Sequence, residues 1–321
     1  METPVKVLIT GGGGFVGRNL FESLRRQYEV LAPTRAELDL LDDDAVRRYL
    51  QHHRFDAVVH AATVRANRRI GAPPALMQQN CRMYFNLARN PDAFGKLLFL
   101  SSGAVYDRRA PVVRAAETSF DRSVPADPYG FSKYICALHI AQSTNLFDLR
   151  LFGVFGPYED WEIRFLSNAC CRAVWDLPVL LKQNVRFDYL DVADLANVIR
   201  WFIESQPRHR AYNVCTGRAI DLTALARKVV WASGKNLPVV VQEPGLGDEY
   251  SGDNRRLLEE MPGFRFRSPD DSINSLYRWY SDRKADIDPT RLHFDAPTAA
   301  MTQGAGSTIA SQAQEVHRIC L

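Results

Sequence analysis

The chain has 321 residues, 46% of them apolar and 24% charged, enough to bury one large α/β core with a smaller domain attached. Its 40 basic and 37 acidic residues leave a net charge of +3 with no block of five or more like charges, and no apolar run approaches the roughly 18 residues that span a bilayer, so neither a nucleic acid nor a membrane is an expected partner. The start of the chain has no signal-peptide core, which makes a cytoplasmic location the expectation, and the cysteines at 81, 136, 170, 171, 215 and 320 lack C-x-x-C and zinc-ligand spacing, so no disulfide and no metal is expected and most read as small buried hydrophobes.

The first element is a β-rich run, Val5 to Thr10, that leads into Gly11-Gly12-Gly13-Gly14-Phe15-Val16-Gly17. Three positions without a Cβ stand where strand passes into helix: Gly11 permits the tight turn, Gly14 lets a pyrophosphate approach the backbone, and Gly17 allows close helix–sheet packing. The helix expected from Phe15 to Gln27 opens with Phe15 and Val16, and its free N–H groups and positive dipole end suit phosphates. The pattern points to a dinucleotide. A second strand, Glu29 to Ala32, runs into Pro33-Thr34-Arg35 with no acid before Glu37. A carboxylate there would bind the adenosine ribose of NAD, whereas a cation neutralises the 2′-phosphate of NADP. NADP (NADPH) is therefore the expected cofactor, with Arg35 as its phosphate partner and NAD as the alternative.

A helix at Asp43 to His53, a strand at Ala57 to His60, a helix at Pro74 to Arg89 and a strand at Lys96 to Leu100 continue an alternation typical of parallel strands joined by right-handed crossovers. Ser102 falls at the carboxyl end of this fourth strand, where ligands of open α/β sheets gather. The next helix, Tyr129 to Asn145, begins Tyr129-Gly130-Phe131-Ser132-Lys133, which puts Tyr129 and Lys133 on one face. A phenol with an ordinary pKa near 10 needs a neighbouring cation to exchange protons at neutral pH. Lys133 supplies that charge and can hydrogen-bond a nicotinamide ribose, so Ser102, Tyr129 and Lys133 are the candidate catalytic residues.

A fifth strand is expected at Phe147 to Phe152, and from Gly156 the alternation becomes mixed. A helix at Phe165 to Trp175, a strand at Val185 to Leu190, a helix at Val192 to Ser205 and a strand-turn-helix within Ala211 to Ser233 follow. The expected fold is α/β: a doubly wound parallel Rossmann sheet from residues 1–155, to which 185–215 return, and a second, smaller α+β substrate domain from 156–184 and 216–280. Residues 285–321, rich in Ala, Thr, Ser, Gln and Gly, read as a disordered tail.

With these motifs in this order over roughly residues 5 to 280, the chain resembles the extended short-chain dehydrogenase/reductase family of nucleotide-sugar epimerases, dehydratases and reductases. Further matching residues are Asp39-Leu40, similar to the pair that contacts adenine, and His60-Ala61-Ala62, where Ala61 and Ala62 would lie beside the cofactor. Asn80, Arg150-Leu151-Phe152 with Gly156-Pro157, and Asp188 to Ala196 also match. The resemblance implies Phe152 as a cofactor contact and Asn80, Asn168 and Arg186 as contacts of a nucleotide-diphosphate sugar. It also implies a homodimer that packs the helices at about 74 to 90 and 129 to 144 into a four-helix bundle. Two departures stand out. Gly153 replaces the family's usual Asn, and Phe187 separates Arg186 from Asp188 where an Arg normally directly precedes the Asp.

Residues around Ser102 narrow the reaction. Sugar 4,6-dehydratases resemble one another in an Asp-Glu pair after the active-site Ser or Thr, where this chain has Gly103-Ala104. The stretch Thr34 to Asp42 is similar to the GDP-fucose synthase branch, NADPH enzymes that epimerise and then reduce a 4-keto sugar with a Cys after the Ser and a His after the Gly-Pro turn. Here Gly103 takes the first place and no His lies between Tyr158 and Arg186. The resemblance thus implies NADPH-dependent reduction of the C4 carbonyl of a nucleotide-activated 4-keto-6-deoxy or related sugar, in deoxysugar or surface polysaccharide precursor synthesis. An NAD-dependent nucleotide-sugar 4-epimerase and, outside catalysis, a dinucleotide-sensing regulator are the alternative expectations.

Overall fold

The computed structural model describes residues 4–65 and 71–292. β1 (Lys6–Thr10) is buried from Val7 onward and passes through the glycine turn into α1 (Phe15–Leu24), which turns Gly17, Leu20 and Leu24 onto the sheet. β2 (Glu29–Leu31), α2 (Asp43–His53) and β3 (Phe55–His60) come next. α2 spans the residues expected of it because both ends are chemically marked. Asp42 accepts from the Ala45 N–H at 2.9 Å, Asp43 and Asp44 occupy the positive end of the dipole, and His52 and His53 the negative end.

α3 (Leu76–Ala88), β4 (Phe94–Ser102), β5 (Val112–Ala115), α4 (Pro128–Ala141) and β6 (Leu146–Leu151) follow. α4 starts where it does because Asp127 accepts from the Gly130 N–H at 2.9 Å and Pro128 brings a preset φ without an N–H to satisfy. The remaining elements are β7 (Gly153–Phe155), α5 (Phe165–Val174), β8 (Val179–Asp191), α6 (Val192–Glu204), β9 (Ala211–Val214), β10 (Ala219–Asp221), α7 (Leu222–Ser233), β11 (Val239–Gly252), α8 (Arg255–Glu260) and α9 (Pro269–Ser281).

Six parallel strands form the first sheet in the order β2-β1-β3-β4-β6-β9. Successive side chains leave a strand on opposite faces. Val7 and Ile9 therefore join Leu20, Leu24, Ile199 and Phe202 of α1 and α6 on one side, while Leu8 meets Val46, Leu50, Tyr84 and Ile140 of α2, α3 and α4 on the other. This is the doubly wound α/β sheet expected from the sequence. The second sheet runs β10-β8-β11-β5, with β7 beside β8. It packs against α5, α7 and α9 through Leu166, Cys170, Leu225, Val229, Ile273 and Leu276.

Two expectations are corrected. Val185 to Leu190 was expected to return to the first sheet, but the strand begins at Val179 and lies wholly in the second sheet; only α6 and β9 return. The reason is its partner, β11, which pairs with it from Val239↔Val179 to Tyr250↔Phe187. Pro244, Gly245 and Gly247 hide β11 from a reading of strand propensity, and register shifts at Glu243/Leu246 and Gly247/Tyr250 absorb them. The expected disordered tail from residue 285 also begins too early. Ile287 and Leu292 are buried in the core of the second sheet, docked singly without the periodicity that a sequence reading detects; 293–321 lie outside the described residues. No helix among the described residues is long and apolar enough to cross a membrane. Cys136, Cys170, Cys171 and Cys215 are buried core residues and Cys81 is partly buried, while Cys320 lies outside the described residues.

Candidate active site and cofactor cradle

At the end of β1 the backbone reverses with Gly11 at φ +73°, and a Cβ there would lie 2.7 Å from the Ala62 Cα. A Cβ on Gly17 would lie 2.2 Å from the Gly11 carbonyl oxygen, so α1 can reach the strand only with glycine at that place. Ala61 and Ala62 thus form the wall against which the turn is built. A Cβ on Gly13 would meet nothing within 4 Å, and Gly14, the residue capping α1, offers no side chain to its first turn, which also lacks an acid. The first N–H groups of α1, those of Phe15 and Val16 among them, are left to a ligand's oxygens in a cradle with no side chain in the way. That geometry fits a pyrophosphate.

The rim after β2 carries Arg35, Glu37 and Asp39. Glu37 folds back to accept from the Thr34 N–H and hydroxyl at 2.7 and 2.8 Å. Asp39 accepts from the Leu41 N–H at 3.0 Å and meets Arg35 at 3.3 Å. Arg35 keeps 78% of its side chain exposed. Leu40 is buried beneath this turn.

Ser102 ends β4 while Tyr129 and Lys133 occupy the first turns of α4, and the fold brings the three together. The Ser102 Oγ accepts from the Ala104 N–H at 3.2 Å. Lys133 is buried, with its Nζ donating to the Leu100 carbonyl at 3.2 Å, 4.4 Å from the centre of the Phe99 ring and 5.6 Å from that of Tyr129. Burial opposes ionisation of Tyr129, yet the charge of Lys133, joined by Arg65, the Ser102 hydroxyl and Arg108, outweighs it and holds the phenol below its ordinary pKa. His60, at the end of β3, is pushed down to about 3 by burial and then by the Lys133 charge, so it stays neutral and shares a 2.7 Å hydrogen bond with the Thr10 hydroxyl. A phenol with a lowered pKa, a serine hydroxyl and a fixed cation therefore stand at the carboxyl ends of the strands, beside the cradle. Such a set adds or removes a proton at an oxygen whose carbon exchanges hydride.

Residues 7–215 match the NAD dependent epimerase/dehydratase family. The chain belongs to that family. Over 324 residues it is 24% identical to the GDP-L-fucose synthase of Escherichia coli strain K12, covering 87% of this chain and 97% of that protein. It is 35% identical to the GDP-L-colitose synthase of Yersinia pseudotuberculosis over 111 residues, 32% of this chain and only 35% of that relative's length. Its fold matches that of the UDP-glucose 4-epimerase of Thermotoga maritima with a TM-score of 0.73 at 20% identity, covering 88% of this chain and 100% of the other. Members of the family use a nicotinamide dinucleotide, and the glycine cradle of this chain has the shape for one.

Of the residues that the family resemblance assigned to substrate, Asn80 and Asn168 bond to nearby loops. The Asn80 amide is occupied on both sides by Val64, accepting from its N–H at 2.7 Å and donating to its carbonyl at 3.0 Å, so it shapes the loop after β3. Asn168 is buried and donates to the Trp161 and Glu162 carbonyls at 3.1 and 2.8 Å, which holds the segment ahead of α5. In both, the side-chain amide bonds backbone groups of a nearby loop. Arg186 stands 48% exposed on β8, 3.5 Å from Glu249 and donating to the Ala219 carbonyl at 3.3 Å.

The family departures at Gly103 and Gly153 have a common physical origin. A Cβ at Gly153 would lie 2.5 Å from the Phe187 ring, and one at Gly103 would lie 2.6 Å from the Tyr250 hydroxyl and 2.8 Å from the Phe152 ring. Aromatic side chains have moved into the space of the missing ones. Phe152, expected at the cofactor, packs with its ring centre 5.0 Å from that of Tyr250, the two planes tilted by 43°. The sequence reading missed Tyr250 altogether; its one signal was the bare Gly103, a position beside Ser102 without a side chain of its own.

Proposed function

We propose that the protein reduces the C4 carbonyl of a nucleotide-activated 4-keto-6-deoxy or related sugar with NADPH, supplying deoxysugar or surface polysaccharide precursors in the cytoplasm. One observation carries this reading: Ser102, Tyr129 and Lys133 are assembled around one another, while residue 103, where carbon epimerisation or water elimination would need an acid or base, has no side chain and its space is filled by Tyr250. The exposed Arg35 at the end of β2 favours NADPH over NADH. Bound NADPH supplies the hydride.

Ser102 and Tyr129 hold the ketone oxygen, and Tyr129 gives it a proton as negative charge develops there. Lys133 keeps the phenol ready to ionise and stabilises the phenolate left behind. The relatives named as GDP-L-fucose and GDP-L-colitose synthases support a nucleotide-diphosphate sugar as substrate. We further propose a homodimer through α3 and α4, where Met77 and Leu138 are exposed apolar residues.

A 4-epimerase would need only the same three groups, and the likeness to a UDP-glucose 4-epimerase keeps it as the second reading. Incubation with a panel of nucleotide 4-keto sugars and NADPH, following nicotinamide absorbance, separates the readings. Consumption of NADPH with one of them is expected. Tightly retained NAD and interconversion of 4-epimers without net oxidation would overturn the reductase, and cofactor binding without turnover of any sugar would mark a sensor.

A further inference from the structure

Two phenols stand near Ser102. Besides Tyr129, there is Tyr250, which β11 delivers from the second sheet and whose hydroxyl would lie 2.6 Å from a Cβ on Gly103, the residue next to Ser102. Tyr250 is held on both sides: its backbone lies opposite Val112 of β5 and Phe187 of β8, and its ring sits 5.0 Å from both Phe152 and Phe187. That packing aims the hydroxyl at the spot a side chain of residue 103 would take.

A serine hydroxyl has one proton to give and two lone pairs. To polarise a substrate oxygen, Ser102 must direct its proton there, which leaves both lone pairs to donors. The Ala104 N–H, at 3.2 Å, serves one. Burial raises the Tyr250 phenol above its ordinary pKa, with the Arg108 charge and the Ser102 contact only partly offsetting this, so it keeps its proton at neutral pH. Tyr129 is shifted the opposite way and is the phenol that yields its proton. The two tyrosines thus divide the work, one transferring a proton and one holding its own. Hydrogen bonds in a chain polarise one another, so a donor onto Ser102 makes Ser102 itself a stronger donor.

We propose that Tyr250 is a positioning residue whose phenol donates to Ser102 and thereby turns the serine proton toward the substrate oxygen. The assignment rests on the ketone-reduction reading. It also gives Gly103 a task, since any side chain there would displace the phenol.

The test begins with Tyr250→Phe, which keeps the ring in its slot between Phe152 and Phe187 and removes only the hydroxyl. The expected result is a fall in kcat of about tenfold with an unchanged KM for NADPH. In a Ser102→Ala background the same substitution should have no further effect, whereas additive losses would show that Tyr250 does not work through Ser102 and overturn the proposal. A second readout needs no substrate: the alkaline titration of Tyr129 in the NADP-bound protein, taken as the phenolate absorbance that Tyr129→Phe removes. Tyr250→Phe should move it to higher pH, because a less polarised Ser102 donates less well to the phenolate. Gly103→Ala should do the same with Tyr250 still present. An unmoved titration in Tyr250→Phe overturns the proposal whatever the substrate proves to be, while a moved titration without turnover of any keto sugar upholds the role of Tyr250 and retires the substrate reading instead.

Discussion

The Lys133 ammonium lies 5.6 Å from the centre of the Tyr129 ring, one helical turn away, while its hydrogen bond runs to the Leu100 carbonyl rather than to the phenol. Lys133 therefore acts on Tyr129 through its field. Reduction requires Tyr129 protonated, so kcat should fall as pH rises through the pKa of this phenol. Because the Lys133 charge lowers that pKa, Lys133→Met should move the alkaline limb of the kcat profile to higher pH as well as slowing the reaction. An alkaline limb that stays in place would assign it to another group. Tyr129→Phe should cost about 10²- to 10⁴-fold in kcat with NADPH binding kept, as read by turnover and by nicotinamide fluorescence.

Arg35 is exposed and only loosely paired with Asp39 at 3.3 Å, so it is available to a 2′-phosphate. Arg35→Ala should raise the KM for NADPH about ten- to a hundredfold, the loss expected for a charge-assisted hydrogen bond, and leave that for NADH nearly unchanged. Equal effects on both cofactors would show that Arg35 does not read the phosphate.

Glu159 gives stability a pH dependence. It is buried, and burial pushes its carboxyl up to about 7 despite the Ser167 hydroxyl at 2.6 Å and the charges of Arg164 and Arg65. Below its ordinary value of 4.5 both folded and unfolded chains hold the proton, and Glu159 contributes nothing to the difference. Between about 4.5 and about 7 only the unfolded chain releases it, so stability declines as pH rises. Above about 7 the decline is complete at about 3 kcal/mol, at ~1.4 kcal/mol per pH unit. Glu159→Gln, neutral throughout, should therefore gain in melting temperature relative to the parent between pH 5 and pH 8. A difference in melting temperature that is flat across this range would contradict the burial of an ionisable group there.

Restoring the family's asparagine at residue 153 should destabilise the protein by about 1 to 3 kcal/mol, the usual range for overpacking, because its Cβ would lie 2.5 Å from the Phe187 ring and 2.7 Å from the Asp188 carbonyl oxygen. Adding Phe187→Ala should recover part of that loss, so that urea unfolding of the double variant shows less destabilisation than the two single changes summed. Simple additivity would mean that the backbone contact alone sets the cost.

Much of the first sheet was legible because its signals are local. The α2 bounds follow from Asp42 and the charges at the two ends of the helix, and the glycine turn, Ser102 and the Tyr129/Lys133 pair each sit at a strand end or helix start whose position the pattern fixes. What escaped was set by distant partners. β11 is a strand only because β8 and β5 pair with it across its glycines and proline, and Ile287 and Leu292 are buried only because the core they meet was built elsewhere. Asn80 and Asn168 show the same limit at the site: an amide's bonding capacity can be read from its residue type, but which backbone group takes it cannot.

The Tyr250 hydroxyl above Gly103 joins two halves of the chain that would otherwise pass for interchangeable parts. A chimaera that kept the first sheet and took its second from a relative would import a new occupant for the space above Gly103 along with that relative's second-sheet surface. If the proposed role of Tyr250 holds, substrate range and proton handling are inherited together, and a change of sugar by grafting would call for residue 103 to be chosen again.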